Sequence, residues 1–353
     1  MRDFSITTRL TFVILAGATL VLAACGGGAS PAATATAVPT APGTTTAPPL
    51  ETVTLALDWV ANVNYLGVYA AIGKGYLAAR RIDLKVLPYA NTPAEPLVES
   101  GKADLGISYP PDVIINRAAG LSYRAVAALV ARNTTALAVL DSSPYTTPAQ
   151  LDGRLYGGFG IPSDEAIVTA ILKRAGVASP RFRQVVLTTG AIDALAAGRV
   201  QYSAVFAGID DVQAELAGTR LRLFPYRDVL GAAGDYPNAV YVAADATIAK
   251  RADALRRTLA ALAEGYEWAA ANPEAAGRLL IDQNRTELSS SKTLVARSAA
   301  ATAPLFVDAA GRWGALQDAD FAGLEQILVD GGVVKGSAPP VGDLYTDSLL
   351  PPG

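Results

Sequence analysis

The chain has 353 residues, with 29 Lys and Arg against 32 Asp and Glu and a formal charge of −3 at pH 7. That balance leaves no broad basic surface and argues against nucleic acid as a partner. With no histidine and a single cysteine, the chain lacks the means for a Ser-His-Asp triad, a Cys-His dyad, a histidine-based metal site or an intrachain disulfide.

Residues 1–24 read as a lipoprotein signal peptide. Arg2 and Arg9 supply a positive start, and residues 10–24 are almost unbroken apolar and small side chains. That run is short for a membrane-spanning helix, which needs about 20 residues. It closes on Leu22-Ala23-Ala24-Cys25-Gly26, which resembles the bacterial lipobox, so Cys25 is the expected lipidation site. Residues 25–50 then form an Ala-, Thr- and Pro-rich tether with no charge before Glu51, a composition that cannot bury a core. The expected location is the extracytoplasmic face of a cell membrane, held there by the lipid.

From residue 51 strands and helices alternate. Strands are expected over 53–58, 83–87, 103–108, 123–131 and 136–141, with helices over 65–77, 94–100 and 112–119 between them. A short helix over 147–152 follows. Strands over 154–158, 182–187, 202–207 and 221–225 then alternate with helices over 164–175, 191–197 and 211–216. A returning strand over 236–243 precedes amphipathic helices over 251–272, 273–284, 291–303 and 314–330. Repeated βα units predict parallel sheets covered on both faces. The fold class is therefore α/β, with two lobes joined by two crossovers near 138–143 and 237–243. Residues 51–140 and 239–353 form the first lobe, the latter segment carrying the C-terminal helices, and 141–238 form the second. Ligands of open α/β sheets sit at the carboxyl ends of the strands, so both sets of loops should face one cleft that closes by a hinge.

Candidate ligand-binding residues follow from that placement. Asp58 and Trp59 end the first strand, and Asn62, Asn64, Tyr65 and Tyr69 follow. Core packing is the lesser alternative for Trp59, whereas Asn62 and Asn64 could equally form a turn or cap, and Tyr109 could equally pack. Ser108 and Tyr109 end another strand ahead of Pro110-Pro111. In the second lobe Gly158 and Phe159 lie in a glycine-rich turn before a helix. Glycines there permit close backbone approach, but Asp164 and Glu165 occupy the helix start and no Lys or Arg lies between Tyr156 and Leu172, which disfavours phosphate. A backbone nest for a neutral ligand, or a tight turn, fits better. Asp210 could accept from a ring N–H or cap its helix. Tyr236 and Tyr241 border the second crossover.

Several of these segments are similar to one family. Val53-Thr54-Leu55-Ala56-Leu57-Asp58-Trp59, then Asn62, Asn64 and Gly67, then Gly73-Lys74-Gly75-Tyr76-Leu77 resemble the opening of the thiamin-precursor-type solute-binding proteins of ABC importers. The similarity continues through Val98-Glu99-Ser100-Gly101-Lys102-Ala103-Asp104-Leu105-Gly106 and Tyr156-Gly157-Gly158-Phe159-Gly160. It ends with Gly265-Tyr266-Glu267, Asn272-Pro273-Glu274 and Arg312-Trp313-Gly314. The resemblance implies a type II periplasmic-binding-protein fold, a membrane permease with its ATPase as partners, one small-molecule ligand, no cofactor, no metal and no catalysis. A pyrimidine synthase shares the superfamily, but it depends on histidine and a cysteine-rich motif that this chain lacks.

Three pocket loops depart from the thiamin-precursor pattern. Tyr65 replaces the histidine after N-x-N, Phe159 replaces Trp in the glycine turn, and Ile209-Asp210 replaces W-E. Related members bind riboflavin, whose flat ring wants aromatic faces and whose uracil-like edge wants Asp or Asn. The 14 Tyr against 8 Phe also favour wet aromatic surfaces. Riboflavin is thus the first expectation, an aminopyrimidine the alternative, and a sulfonate or nitrate third because the pocket lacks cations.

Overall fold

In the computed structural model, which describes residues 49–89, 92–187 and 190–352, the alternation resolves into two five-stranded sheets. The strands are β1 (Glu51–Ala56), β2 (Ile82–Leu87), β3 (Leu105–Ser108), β4 (Tyr123–Val130), β5 (Thr135–Leu140), β6 (Leu155–Gly158), β7 (Arg183–Val186), β8 (Tyr202–Phe206), β9 (Leu221–Pro225) and β10 (Asn238–Ala244). The first sheet runs β2-β1-β3-β10-β4 and the second β7-β6-β8-β5-β9. In the first, β1 is parallel to β2 and β3, and the returning β10 is antiparallel to β3 and β4. In the second, β6 is parallel to β7 and β8, and β5 is antiparallel to β8 and β9. This is a two-lobed α/β architecture. The signal peptide, Cys25 and nearly all of the tether lie outside the described residues.

Central strands read as near-continuous apolar runs because helices cover both faces. In β4, Tyr-Arg-Ala-Val-Ala-Ala-Leu-Val is buried at every position but Arg124, and all seven residues of β10 are buried. Helix Leu66–Gly73 crosses the long helix Asp245–Ala271 at very short range. A Cβ on Gly67 would fall 2.1 Å from the Tyr266 ring, and one on Gly265 would fall 2.2 Å from the Gly67 carbonyl oxygen. Tyr266 stacks on Trp313 with centroids 4.8 Å apart, which closes the core on the outer face of the first sheet.

Two expectations about the lobes change. Residues 135–140 pair with β8 and β9, so the first crossover is the short segment 131–134 rather than 138–143. The reason is register: Ala136, Leu137 and Ala138 alternate between two buried faces of the second sheet, which an apolar run alone does not reveal. Second, helix Ala319–Asp330 does not belong to the first lobe alone. It packs on helix Pro110–Ala118 of the first lobe and helix Ser163–Arg174 of the second, and Phe321 and Leu324 share one core with Val113 and Ile167.

Polar side chains tie the crossovers together. The Asn133 side chain donates to the Gly234 carbonyl at 2.9 Å and accepts from the Thr135 N–H at 2.8 Å. Asn238 donates to Thr134, and Arg132 pairs with Asp235. Ala239 takes a positive φ of 68°, and β10 skips it in pairing, matching Asn238 to Val130 and then Val240 to Ala128.

Candidate functional site

The carboxyl ends of the parallel strands bring the site residues together. Asp58 follows β1 and receives two hydroxyl donors, Tyr65 on Oδ1 and Tyr109 on Oδ2, each at 2.7 Å. Burial pushes its carboxyl above the ordinary carboxylate range, against the two hydrogen bonds that lower it. Burial and the Asp58 charge in turn hold both phenols well above their usual value. Tyr65 is therefore a buried strut behind Asp58 rather than a lining residue; the turn capped by Asn62 aims it there.

Tyr109 ends the first lobe's contribution and meets the second. Its ring lies nearly parallel to Phe206 at the end of β8, at 19° with centroids 6.5 Å apart. Phe206 is also nearly parallel to Phe159 at the end of β6, at 20° and 5.6 Å. Three flat faces thus line up across the two lobes, a geometry suited to covering an aromatic ligand. On the rim, Trp59 is 40% exposed and leans on Tyr89 at 5.0 Å.

Carboxylates surround this ladder. Ser108 donates to Glu95 at 2.5 Å, and burial raises the Glu95 carboxyl. Asp164 accepts from the Gly160 N–H at 2.7 Å and from Gln184 at 3.0 Å, and burial raises it as well. Asp112 is pushed up to about 7 by burial and then by the charges of Glu95, Asp164 and Asp58. Asp210 accepts from the Phe206 N–H at 2.7 Å, and burial pushes it up to about 6. Among the described residues no Arg or Lys pairs with any of these five carboxylates, although fifteen ion pairs form elsewhere. The strand ends thus gather acids without a cationic partner, which opposes an anion and favours a ligand rich in N–H donors. No group of His, Cys, Asp and Glu among the described residues has the arrangement of a metal site.

Other candidates go elsewhere. Asn62 accepts from the Asn64 N–H at 2.9 Å and donates to the Val60 carbonyl, and the Asn64 carbonyl accepts from Tyr266. Both asparagines thus build the turn. Tyr69 is buried in the first core beside Asn284. Tyr241 is wholly buried, bonded to the Tyr266 hydroxyl at 2.8 Å and packed edge-on to Trp313. Both are core residues: Tyr69 lies on the buried side of helix Leu66–Gly73, and Tyr241 shares with Ala239 and Ala243 the face of β10 that packs into the first core. Tyr236 is buried beside Asn133, near enough to Asp112 and Asp164 to feel both charges. The glycine turn is not a free nest. A Cβ on Gly158 would lie 2.5 Å from Tyr156, 2.7 Å from Gln184 and 2.8 Å from Asp164, and the Gly160 N–H is already taken by Asp164.

Sequence reasoning passed over Phe206, Glu95, Asp112, Asp164 and Tyr89 as site residues. Phe206 had a signal, since it ends its strand as Tyr109 and Phe159 border theirs. A separate concavity of about 770 Å³, lined by Asp141, Glu215, Arg220 and Arg297 among others, mixes both charges and lacks aromatic faces; the convergent chemistry lies at the strand ends instead. Among the described residues no helix is long and apolar enough to cross a membrane.

Comparisons with known proteins bear on the family and the fold. The family described as NMT1/THI5 like matches residues 62–276. A curated relative, the formylaminopyrimidine-binding protein of Halalkalibacterium halodurans, is 28% identical over 237 residues, 66% of this chain and 70% of that protein. The alkanesulfonate-binding protein SsuA of Xanthomonas axonopodis pv. citri, solved with MOPS bound, shares the fold with a TM-score of 0.65 at 15% identity, covering 85% of this chain and 99% of that one. The desulfurization enzyme DSZB shares it with a TM-score of 0.57 at 16% identity, over 85% of this chain and 97% of that one. The fold therefore hosts both binding proteins and an enzyme.

Proposed function

We propose, from the premise that the chain belongs to the NMT1/THI5 like family, that it is the lipid-anchored, extracytoplasmic solute-binding component of an ABC importer and that its ligand is an aminopyrimidine. The observation that carries the ligand class is the Tyr109–Phe206 pair, one ring from each lobe, set among carboxylates that no cation neutralises. A flat heterocycle bearing amino groups satisfies both features: its faces meet the rings and its N–H groups meet the acids. The relative whose name specifies formylaminopyrimidine binding supports the same reading. A sulfonate or nitrate would enter this cleft against its charge.

The role as a binder and not a catalyst rests on the missing histidine, with the strand-end acids engaged by Tyr, Ser, Gln and backbone donors. Delivery to a permease and its ATPase follows from the importer reading, and anchoring from Cys25. Riboflavin is the second reading, favoured by the length of the ring ladder, since Phe159 extends it beyond what one pyrimidine covers. A thermal-stability panel separates the readings, because a ligand that binds only the folded state at 100 times its Kd adds about 2.7 kcal/mol. Stabilisation by an aminopyrimidine and not by riboflavin or an alkanesulfonate is expected. Stabilisation by riboflavin alone would transfer the assignment to the flavin, and stabilisation by none would end it.

A further inference from the structure

The lobes also touch away from their crossovers and the ring pair. Helix Lys292–Thr302 belongs to the first lobe, with Val295 and Ala299 in that lobe's core, and it packs on helix Asp210–Leu216 of the second. The turn between β8 and that second helix is seated on it. Gly208, at φ 87°, lies so close that a Cβ would fall 3.0 Å from the Thr302 hydroxyl oxygen and 3.4 Å from the Ala301 methyl. Ile209 packs against the first lobe's core, and Arg297 donates to Glu215 in an ion pair between two half-exposed side chains. The contact is narrow. A concavity of about 770 Å³ lined by Glu215 and Arg297 borders it, as does one of about 200 Å³ lined by Gly208, Ala301 and Leu305, and Asp211 lines both.

The Thr302 hydroxyl is buried there and has no hydrogen-bond partner among the described residues. The Gly208 N–H beside it is held by Asp211 at 2.7 Å, so the turn covers the hydroxyl without bonding to it. A hydroxyl covered in this way costs free energy that water would remove. Apolar burial of Ile209 and the Arg297–Glu215 attraction act the other way. We propose that this seat sets the balance between open and closed lobes: Ile209 and the ion pair draw the second lobe in, and the Thr302 hydroxyl keeps that closure weak. This rests on the reading of the chain as a two-lobed solute-binding protein. Phe206 precedes the turn by one residue, so the seat also positions the ring that meets Tyr109. Gly208, Thr302, Glu215 and Arg297 are thus positioning residues, acting through Phe206. A weak seat leaves the closing step to the ligand, whose contacts with both lobes supply the remaining bias.

Thiol labelling and ligand release test this separately. In the full-length chain, Thr302→Cys places a thiol under the turn. Maleimide labelling at that position, followed by mass spectrometry of its peptide, reports parting of the seat without any ligand. Labelling should proceed under conditions where the chain stays folded. Adding Glu215→Arg should speed it about threefold or more at low salt, and adding Arg297→Glu as well, which rebuilds the pair with its charges exchanged, should restore the first rate. Equal rates with and without Glu215→Arg, no rescue by Arg297→Glu, or no labelling short of global unfolding overturns the seat. Release reads the hydroxyl, because a ligand held between closed lobes leaves when they part. Dissociation of 4-amino-2-methylpyrimidine, followed by stopped-flow fluorescence, should slow about fivefold or more in Thr302→Val, which keeps the shape and removes the hydroxyl. A merely structural defect would not slow release. Release from Thr302→Val at the wild-type rate or faster overturns the role of Thr302. Failure of the wild type to bind this probe defeats the aminopyrimidine reading, and the thiol labelling still decides the seat.

Discussion

Asp58 and Gly158 show how single residues set the site. Asp58 is useful because two phenols hold each of its oxygens in place; Tyr65 does this from inside the core, so its contribution to recognition is indirect. Replacing Tyr65 with Phe strips one donor from a desolvated carboxylate, and stability measured by urea unfolding should drop by about 1–3 kcal/mol. An unchanged midpoint would mean that solvent or Asn62 replaces the hydroxyl at no cost. Gly158 has no space for a methyl group against Tyr156, Gln184 and Asp164. Gly158→Ala should cost about 1–3 kcal/mol of stability and displace Phe159, with ligand affinity reduced in the same variant. At this scale the sequence was informative about Asp58, Trp59, Tyr109 and Phe159, whose position at strand ends can be read from alternation. It was misleading about Tyr69 and Tyr241, whose phenols bond inside a core that only tertiary packing defines.

The secondary-structure elements followed the apolar pattern closely, since βα units carry strong periodicity and punctuating glycines and prolines. What the pattern could not assign was membership. A buried run such as 135–140 suits either sheet, and helix Ala319–Asp330 suits either lobe, until the pairing partners are known. The crossover also holds a strained point: Ala239 sits at φ 68° inside a buried strand. A left-handed L-residue costs roughly 1–2 kcal/mol, and glycine escapes that cost. Ala239→Gly should therefore be neutral or stabilising by up to about 1 kcal/mol, whereas Ala239→Val should be destabilised by more than about 1 kcal/mol. Denaturant midpoints giving the opposite order would show that this φ is not retained in solution.

For the whole molecule, the acids of the cleft couple stability to pH. Asp112 and Asp210 have folded-state values of about 7 and about 6, above the ordinary 3.8, so between those limits the folded chain binds more protons than the unfolded one. Their contribution is fully present below pH 3.8 and is lost as pH rises through 6 and 7. Thermal denaturation of the ligand-free chain should give a Tm that rises by a few degrees from pH 8 to pH 5.5, and Asp112→Asn should flatten most of that slope. A Tm that falls over the same interval would place these carboxylates in water.

The proposed function has one ligand covered by rings from both lobes, Tyr109 and Phe206, and it can be tested by one titration. Phe206 belongs to the second lobe, and Phe206→Ala takes away that lobe's ring beside Tyr109 while leaving the Tyr109–Asp58 hydrogen bond its partners, so the affinity of the variant for an aminopyrimidine reports on the second lobe's share in ligand capture. The account predicts saturable binding by the wild type and a loss of at least about tenfold in the variant, as expected when a stacking face is removed. Equal affinity in the two proteins would place the ligand elsewhere and contradict it.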